Sequence, residues 1–476
     1  MWRIISTWAI NFYNACIFLL TWGRRVAHEG RFRHGKWVDW YRFFSCRPQS
    51  YCTPESEEEI CGIVRKAKTV RVVGAGHSFN EAPLTDGVMI SLDELKEVTF
   101  KDYPDKPGWK VACAQAGIRL RDLSKRLSSE GLSLSVAGST DAQSLGGLVA
   151  TDLHGTGRCH GFLSELLLAI RIVDAEGKAK TFHPEDEVFQ AACGGAGTCG
   201  VVVSMEILCE PAFNLAKANR VVPRVWAEEN IDKLLEENTH LSFYYFGGMA
   251  RRGSQQRDAG LSRVQLHKWN RTIDLPSTCL RTRKVFAELL DFVFGGYLIE
   301  VARKLHISNR FARLGLGFYS FFTNTRELVH PSAQGFSRTI YFRHDEIEYG
   351  VPFERYKDCL KEVRALLNRE KYPSLIEVRF TPDHSQAILG PGAGRRTAYI
   401  ELAPSTSRKT DPIFQKFEQI VLKYGGQPHL GKKLYLDRQQ MVTIYGQERM
   451  DRFEAARKAQ DPNGKFLNEF TAKLFH

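Results

Sequence analysis

The sequence predicts an α+β protein of two domains, and three observations carry that expectation. A chain of 476 residues has material for more than one hydrophobic core, so its length favours two or more domains. Up to about Pro211, short β-branched runs alternate with amphipathic helical stretches. From there to about Gly425 the composition shifts to basic runs and aromatic strands.

Composition narrows the function. A hydrophobic content of 43% and a charged content of 25% are ordinary for a globular protein. The 66 basic against 54 acidic residues give a net charge of +12. No recognition motif and no interleaved basic and aromatic platform accompanies that charge, so nucleic acid is not an expected partner. The eleven cysteines are scattered without a Cys-x-x-Cys pair, which argues against zinc, and no metal site is expected. They read as mostly buried free thiols of a reducing compartment.

Taken in order, the first element is Ile4–Gly23, uncharged and largely apolar, just long enough to span hydrocarbon. Trp2, Trp8 and Trp22 suit a membrane interface, whereas Asn11 and Asn14 weigh against a span. Arg24, Arg25, Arg31, Arg33 and Lys36 follow it and only Arg3 precedes it, so a spanning segment would leave the body in the cytoplasm. An interfacial helix and a packed N-terminal helix are the alternatives; no small-residue cleavage site follows. Glu55–Lys68 reads as a helix, with Pro54 before it, acids in its first turn and lysines closing it. Thr69–Val73 and Val88–Leu92 are strands, and Leu92–Leu95 is a short turn. Trp109–Ala116 is a further strand, backed by a helix over Leu120–Glu130. Leu166–Asp174 and Lys180–His183 form a hairpin about Glu176-Gly177. Later elements are a strand at Leu241–Gly247, a long helix at Val285–Leu305 after the basic run Arg281–Lys284, and an alternating strand at Leu375–Phe380. Asp461-Pro-Asn-Gly464 is a turn before an apolar-rich end.

The most informative stretch is Arg71-Val-Val-Gly-Ala-Gly-His-Ser-Phe-Asn80. Gly74 and Gly76 remove side chains where a backbone approaches a phosphate, and the amides of Gly74, Ala75, Gly76, His77 and Ser78 can hold the anion. The third glycine of a dinucleotide fingerprint is missing, and Phe79-Asn-Glu-Ala-Pro83 is a poor helix start, which disfavours a Rossmann site. Gly195-Ala-Gly-Thr-Cys-Gly200 matches that fingerprint literally, yet precedes a β-branched run instead of a helix. Glu377 and Arg379 lie two apart in a strand and share a face, either toward one ligand or as a strand ion pair.

Together with Ala137-Gly-Ser-Thr-Asp-Ala-Gln-Ser-Leu-Gly-Gly-Leu-Val-Ala-Thr-Asp-Leu-His-Gly-Thr-Gly157, the first turn resembles the flavin-binding half of the vanillyl-alcohol-oxidase superfamily. Within it the chain is most similar to the sugar-1,4-lactone oxidases, the gulonolactone and arabinonolactone oxidases. Glu346-Ile-Glu-Tyr-Gly-Val-Pro352, Ile376-Glu-Val-Arg-Phe380, Pro428-His-Leu-Gly-Lys432 and Asp461-Pro-Asn-Gly-Lys-Phe-Leu-Asn-Glu-Phe470 add to the resemblance, which runs from about Trp40 to the C-terminus.

The resemblance implies a PCMH-type FAD-binding domain over 40–215, after an N-terminal segment and basic linker over 1–39. An inserted α+β substrate or cap domain follows over 216–425, and 426–476 returns to the FAD domain. It implies FAD, tethered through His77 or only hydrogen-bonded by it. Ser139, Ser144, Gly147, Thr151 and His154 fall where relatives contact flavin, and the glycine segment ending at Gly200 approaches its backbone unless it is merely tight β-structure. Glu377 and Arg379 would line the substrate site, Glu377 accepting from sugar hydroxyls and Arg379 offsetting an alkoxide together with Lys432. Lys432 matches the lysine of a His-Trp-Gly-Lys signature in which Leu430 replaces the tryptophan. Asp152-Leu153 also departs from the small residues usual before that histidine, and an acid there resembles relatives acting on lipid-linked sugars. His429 reads equally as a proton acceptor or a core histidine. The implied activity is oxidation of a secondary alcohol of a sugar 1,4-lactone by hydride transfer to FAD, with oxygen as acceptor giving hydrogen peroxide. The alternatives are a polyol or lipid-linked sugar oxidase or dehydrogenase, and a flavin-binding scaffold at a membrane.

Overall fold

Exposed basic residues alternate with the inward aromatics Phe32 and Trp37 in β1 (Arg31–Arg33) and β2 (Lys36–Val38), which form a small antiparallel sheet with β3 (Ser45–Cys46). It buries Trp37 against Val73 and Met89. These strands belong to a computed structural model that describes residues 29–247, 263–278, 327–337, 344–372, 374–404 and 410–476, together with residues 16, 280 and 282. The apolar stretch Ile4–Gly23, apart from Cys16, and the expected helix Val285–Leu305 lie outside the described residues. No helix among the described residues is long and apolar enough to cross a membrane.

The next sheet is parallel, with β4 (Ser50–Cys52), β5 (Val70–Val73) and β6 (Val88–Ser91) in the order β4-β6-β5. Parallel strands need crossovers, and α1 (Glu57–Lys66) carries the chain from β4 to β5 on the far side of β6. Ser56 caps α1 by accepting from the Glu59 amide at 3.2 Å. Three glutamates in its first turn and Arg65 and Lys66 in its last complement the helix dipole.

A six-stranded antiparallel sheet follows, made of β7 (Val98–Asp102), β8 (Lys110–Gln115), β9 (Leu132–Ser133), β10 (Leu167–Val173), β11 (Ala179–Phe182) and β12 (Val201–Pro211). Its main path runs β11-β10-β12-β8-β7, with β9 on the end of β12. Helices α2 (Leu120–Ser129), α3 (Leu145–Ala150) and α4 (Glu187–Ala192) bury Leu123, Leu127, Leu145 and Phe189 in the same core as Ile170 and Ile207.

The largest sheet has eight strands: β13 (Asn214–Pro223), β14 (His240–Gly247), β15 (Arg263–Thr272), β16 (Leu328–Pro331), β17 (Ile347–Pro352), β18 (Ser374–Thr381), β19 (Thr397–Leu402) and β20 (Gln427–Pro428). They run antiparallel in the order β16-β13-β15-β14-β18-β19-β17-β20. One face is apolar. Phe243, Ile376, Val378 and Ile400 pack with Val363 of α5 (Tyr356–Arg369) and with Phe414 and Phe417 of α6 (Asp411–Lys423). With that face covered, the period of two turns Tyr244, Glu377, Glu401 and Glu348 to the opposite face, where register places them directly across from one another.

Helices α7 (Arg438–Tyr445), α8 (Gln447–Gln460) and α9 (Glu469–Phe475) lead the chain back to the first core, where Met450, Phe453, Leu474 and Phe475 pack beside Ile170 and Phe189. The Lys465 carbonyl accepts from the Val70 amide at 2.9 Å. The expected elements that can be compared are present with ends shifted by one or two residues, some trimmed and others, such as β14 and β18, extended. One excursion was not legible in advance: the loop after β18 sends Ala387, Ile388 and Leu389 into the first core. Tyr445 Oη donates to the Leu389 carbonyl at 2.9 Å and holds it there. All ten described cysteines are free thiols, and burial pushes Cys199, Cys209 and Cys359 up to about 12.

Asp461 is fully buried and accepts from the amides of Lys465 and Phe466, both at 2.8 Å. Asp461→Ala leaves both amides without that acceptor and is expected to destabilise the fold by about 2–4 kcal/mol, measured by urea unfolding.

Candidate active site

A single turn after β5 sets one wall of a deep cleft. Gly74 is so close to Ser144 that a Cβ would sit 2.1 Å from its Oγ, and Gly76 adopts φ 69° against Trp37 and Gly30. The Gly30 amide donates to the Ala75 carbonyl at 2.8 Å and the Trp40 amide to that of Gly76 at 3.1 Å. Because each peptide is trans, the amides of Gly76 and His77 point away from the N-terminal hairpin. His77 lies parallel to the Trp40 ring at 5.3 Å and edge-on to Tyr41 at 5.8 Å. Phe79 and Asn80 then bind the turn to the far end of the cleft. The Phe79 amide donates to the Gly431 carbonyl at 2.9 Å, and Asn80 Nδ2 donates to the carbonyls of Leu430 at 2.6 Å and Lys432 at 2.9 Å.

The cleft is lined by Gly74, Ala75, Gly76, His77 and Ser78, by Ser139, Ser144, Gly147, Thr151 and His154, and by Gly200, whose φ is 119°. Arg379 and Lys432 line it too. Glu377 does not. It stands beside Arg379, 3.8 Å from Nε, in the row between Tyr244 and Glu401, and so is placed to hold the guanidinium.

Three further glutamates share this end. Arg379 Nη2 donates to Glu348 at 2.6 Å and to Glu401 at 2.8 Å. Lys432 Nζ donates to Glu346 and lies 3.4 Å from Glu401 and 4.0 Å from Glu348. His344 also meets Glu346. Burial opposes both charges of the Arg379 and Glu348 pair, but their attraction wins: Arg379 is held above its usual range and Glu348 well below the usual carboxylate range. Arg379 is therefore engaged through Nη2, while its buried Nε has no hydrogen-bond partner among the described residues. Among the described residues, four carboxylates and these two cations share the cluster.

Two histidines complete it. His154 stacks on Tyr399 at 3.6 Å and places Nε2 3.4 Å from Glu348; its Nδ1 lies 3.0 Å from the Gly155 carbonyl, which can only accept. Burial lowers its basicity. His429 Nδ1 accepts from the Gly431 amide at 3.0 Å, so its neutral ring carries the proton on Nε2 and acts as a donor. Burial pushes His429 down to about 4. Among the described residues His154, Glu348 and His429 are the group whose ligand atoms converge, within 4.8 Å, but the guanidinium on Glu348 opposes a second cation there. Asp152 lies outside the cleft. It adopts φ 47° and accepts from Ser164 at 2.8 Å and Ser385 at 2.5 Å, pinning the loop after β18 to the end of α3; burial pushes it up to about 6 despite those bonds.

Reasoning from sequence missed Glu346, Glu348 and Glu401 as site residues. Glu346-Ile-Glu348 has the same two-residue spacing as Glu377-Val-Arg379 and was the available signal, whereas Glu401 is brought in by sheet register alone.

A long cleft with an amide-rich glycine turn at one end and a charged hydroxyl-binding cluster at the other suits an extended cofactor whose phosphates and ring need different surroundings. The absence of Cβ atoms at Gly74 and Gly76 fits FAD there. The cholesterol oxidase structure from B. sterolicum superposes with a TM-score of 0.73 at 14% identity, over 94% of this chain and 98% of that one, which establishes the fold. The FAD binding domain family matches residues 48–183. The protein is thus an FAD-dependent oxidoreductase with the α+β, PCMH-type architecture. The D-arabinono-1,4-lactone oxidase family model matches residues 205–474, more than half of the chain, and the chain belongs to that family. It is 29% identical to an L-gulono-1,4-lactone dehydrogenase of Mycobacterium tuberculosis, over 92% of this chain and 98% of the relative. It is 28% identical to an L-gulonolactone oxidase of Bos taurus, over 93% and 98%.

His429 gives a pH test. Its folded value near 4 lies below the usual 6.5, so its contribution to stability is complete above 6.5 and is lost as pH falls toward 4. At about 1.4 kcal/mol per unit, His429→Gln should flatten the fall in stability between pH 7 and 4.5 by about 2–3 kcal/mol, read from urea melts at the two values.

Proposed function

We propose that this chain oxidises a secondary alcohol of a sugar 1,4-lactone, with oxygen as the acceptor and hydrogen peroxide as product. Membership of the lactone oxidase family supports the substrate class, and the observation that carries the reading is the joining of the glycine turn to the Arg379, Glu348, Glu401 and Lys432 cluster in one cleft. Bound FAD supplies the two-electron acceptor for the carbinol hydride. The N–H groups of the 74–78 turn and the hydroxyls of Ser139 and Ser144 hold that cofactor. Arg379 Nε and Lys432 Nζ take the hydroxyl oxygen of the lactone and limit the negative charge that grows on it. A carboxylate of the cluster takes up its proton, and His429 Nε2–H donates to a second lactone oxygen. His77, parallel to Trp40 and lining the cleft, tethers the flavin covalently. Ile4–Gly23 associates with a membrane and leaves the catalytic body on the cytoplasmic side. Relatives bear both oxidase and dehydrogenase names, so a lactone screen with peroxide detection tests substrate and acceptor together.

Arg379→Ala should slow anaerobic flavin reduction by about 10²–10³ at saturating lactone, and Arg379→Lys should restore only part because lysine lacks the planar fork. An unchanged rate in Arg379→Ala would leave the cluster a structural ion network. Acid-precipitated wild type should stay yellow and gain the mass of FAD, while His77→Ala should release its flavin to the supernatant. Free FAD from the wild type would end the covalent assignment. Deleting residues 1–23 should move the protein from the membrane to the soluble fraction with flavin retained.

A further inference from the structure

Arg71 is a buried cation that no acidic group among the described residues offsets. It projects from β5, one residue after its start and three before Gly74, and is only 4% exposed. Its Nη1 donates to the carbonyls of Gly197 at 3.2 Å and of Phe466, and its Nη2 to that of Ala196 at 2.6 Å. These partners are neutral. A guanidinium has five N–H donors, so three acceptors leave two unspent, and Nε is buried without any partner. Burial pulls the group down to about 10, which still leaves it charged at neutral pH.

The surroundings make that charge unusual. Arg119, the other guanidinium on this side of the cleft, is offset by Glu29 at 3.1 Å and Asp93 at 2.8 Å. The loop that feeds carbonyls to Arg71 holds Gly194, Ala196, Gly197 and Gly200 at positive φ, and Ala196 at 52° does so against its Cβ. Arg71 lines the cleft together with Gly74 and Gly197. The opposite end carries Glu346, Glu348 and Glu401 together with Arg379 and Lys432. The two ends of the cleft therefore differ: a guanidinium held by neutral carbonyls where β5 enters, and a cluster of paired charges at the eight-stranded sheet.

We propose that Arg71 is the fixed counter-charge for the pyrophosphate of FAD, so that this one residue sets both the direction of the cofactor in the cleft and the preference for a phosphorylated flavin. The inference rests on the FAD-dependent reading above. A buried lone cation is unfavourable in the empty protein, and a bound dianion removes that penalty. The carbonyls of residues 196, 197 and 466 orient the guanidinium, and the adjacent amides of Gly76 and His77 add dipoles of the same sign.

The test uses the full-length His77→Ala chain, stripped of flavin so that no covalent bond masks affinity. It is titrated with FAD and with riboflavin, which has no phosphate, following flavin fluorescence. Arg71→Gln keeps two N–H donors for the carbonyls but no charge; it should weaken FAD by about tenfold or more and riboflavin by less than about threefold. Arg71→Lys should hold FAD within about fivefold of the parent. Equal losses for FAD and riboflavin, or no loss for either, would make Arg71 a structural staple and overturn the proposal. A second arm needs no change at Arg71, and stands if Arg71→Gln fails to fold: inorganic pyrophosphate should compete with FAD in the parent and leave riboflavin binding unaffected. Failure to compete also overturns it. Failure of the parent to bind FAD at all would sink the cofactor reading as well, and is thereby told apart from a loss of discrimination at Arg71 alone.

Discussion

Arg379 sits in the interior with its charge intact because Glu348, Glu401 and Glu377 surround it. Removing either partner of such a buried pair typically costs about 3–5 kcal/mol, since the other is left uncompensated. That requirement governs a large part of the fold. Glu377, Glu401 and Glu348 come from three neighbouring strands and meet only in one register, so a slip of one residue would turn the carboxylates into the apolar core beneath α5 and α6. The charged row thus fixes the register of the sheet, while the apolar face supplies its stability.

The two ends of the cleft answer different chemical demands by different means. At the glycine turn the backbone does the binding, and side chains are absent because they would collide with Ser144 or Trp37. At the sheet the side chains do it, and the backbone is consumed by ladder hydrogen bonds. Asn80 joins the two, since its one amide group holds the Leu430 and Lys432 carbonyls while its own chain continues from His77. A movement of the turn would therefore be felt at Lys432 through two hydrogen bonds.

What could be read in the sequence was whatever is encoded locally. The 74–78 turn was legible because glycine, histidine and serine in a row follow a short apolar run, and Arg379 because alternation put it two residues from Glu377. Lys432 was legible through its neighbours His429 and Gly431. Glu401 was not, for a single glutamate in Ala398-Tyr-Ile-Glu-Leu402 gains its meaning only from strands some twenty and fifty residues distant. The excursion of Ala387, Ile388 and Leu389 was equally hidden, because three apolar residues among glycines and prolines carry no period. The place of Glu377 was hidden for a related reason: sharing a face with Arg379 says nothing of how far along that face the cleft extends.

The return of the C-terminus has a consequence for how the protein is made. Phe466 and Lys465 bond to Arg71 and Val70, nearly four hundred residues earlier, and Leu474 and Phe475 complete the first core. During synthesis the amino-terminal part must wait, with apolar surface exposed, until the last helix has left the ribosome. At about 5–20 residues per second that interval is tens of seconds. The middle sheet, whose core residues all lie between Ala227 and Val421, can close before then. The flavin cleft is thus among the last features to form, and a chain that stalls short of residue 460 would present a folded sheet with no finished place for its cofactor.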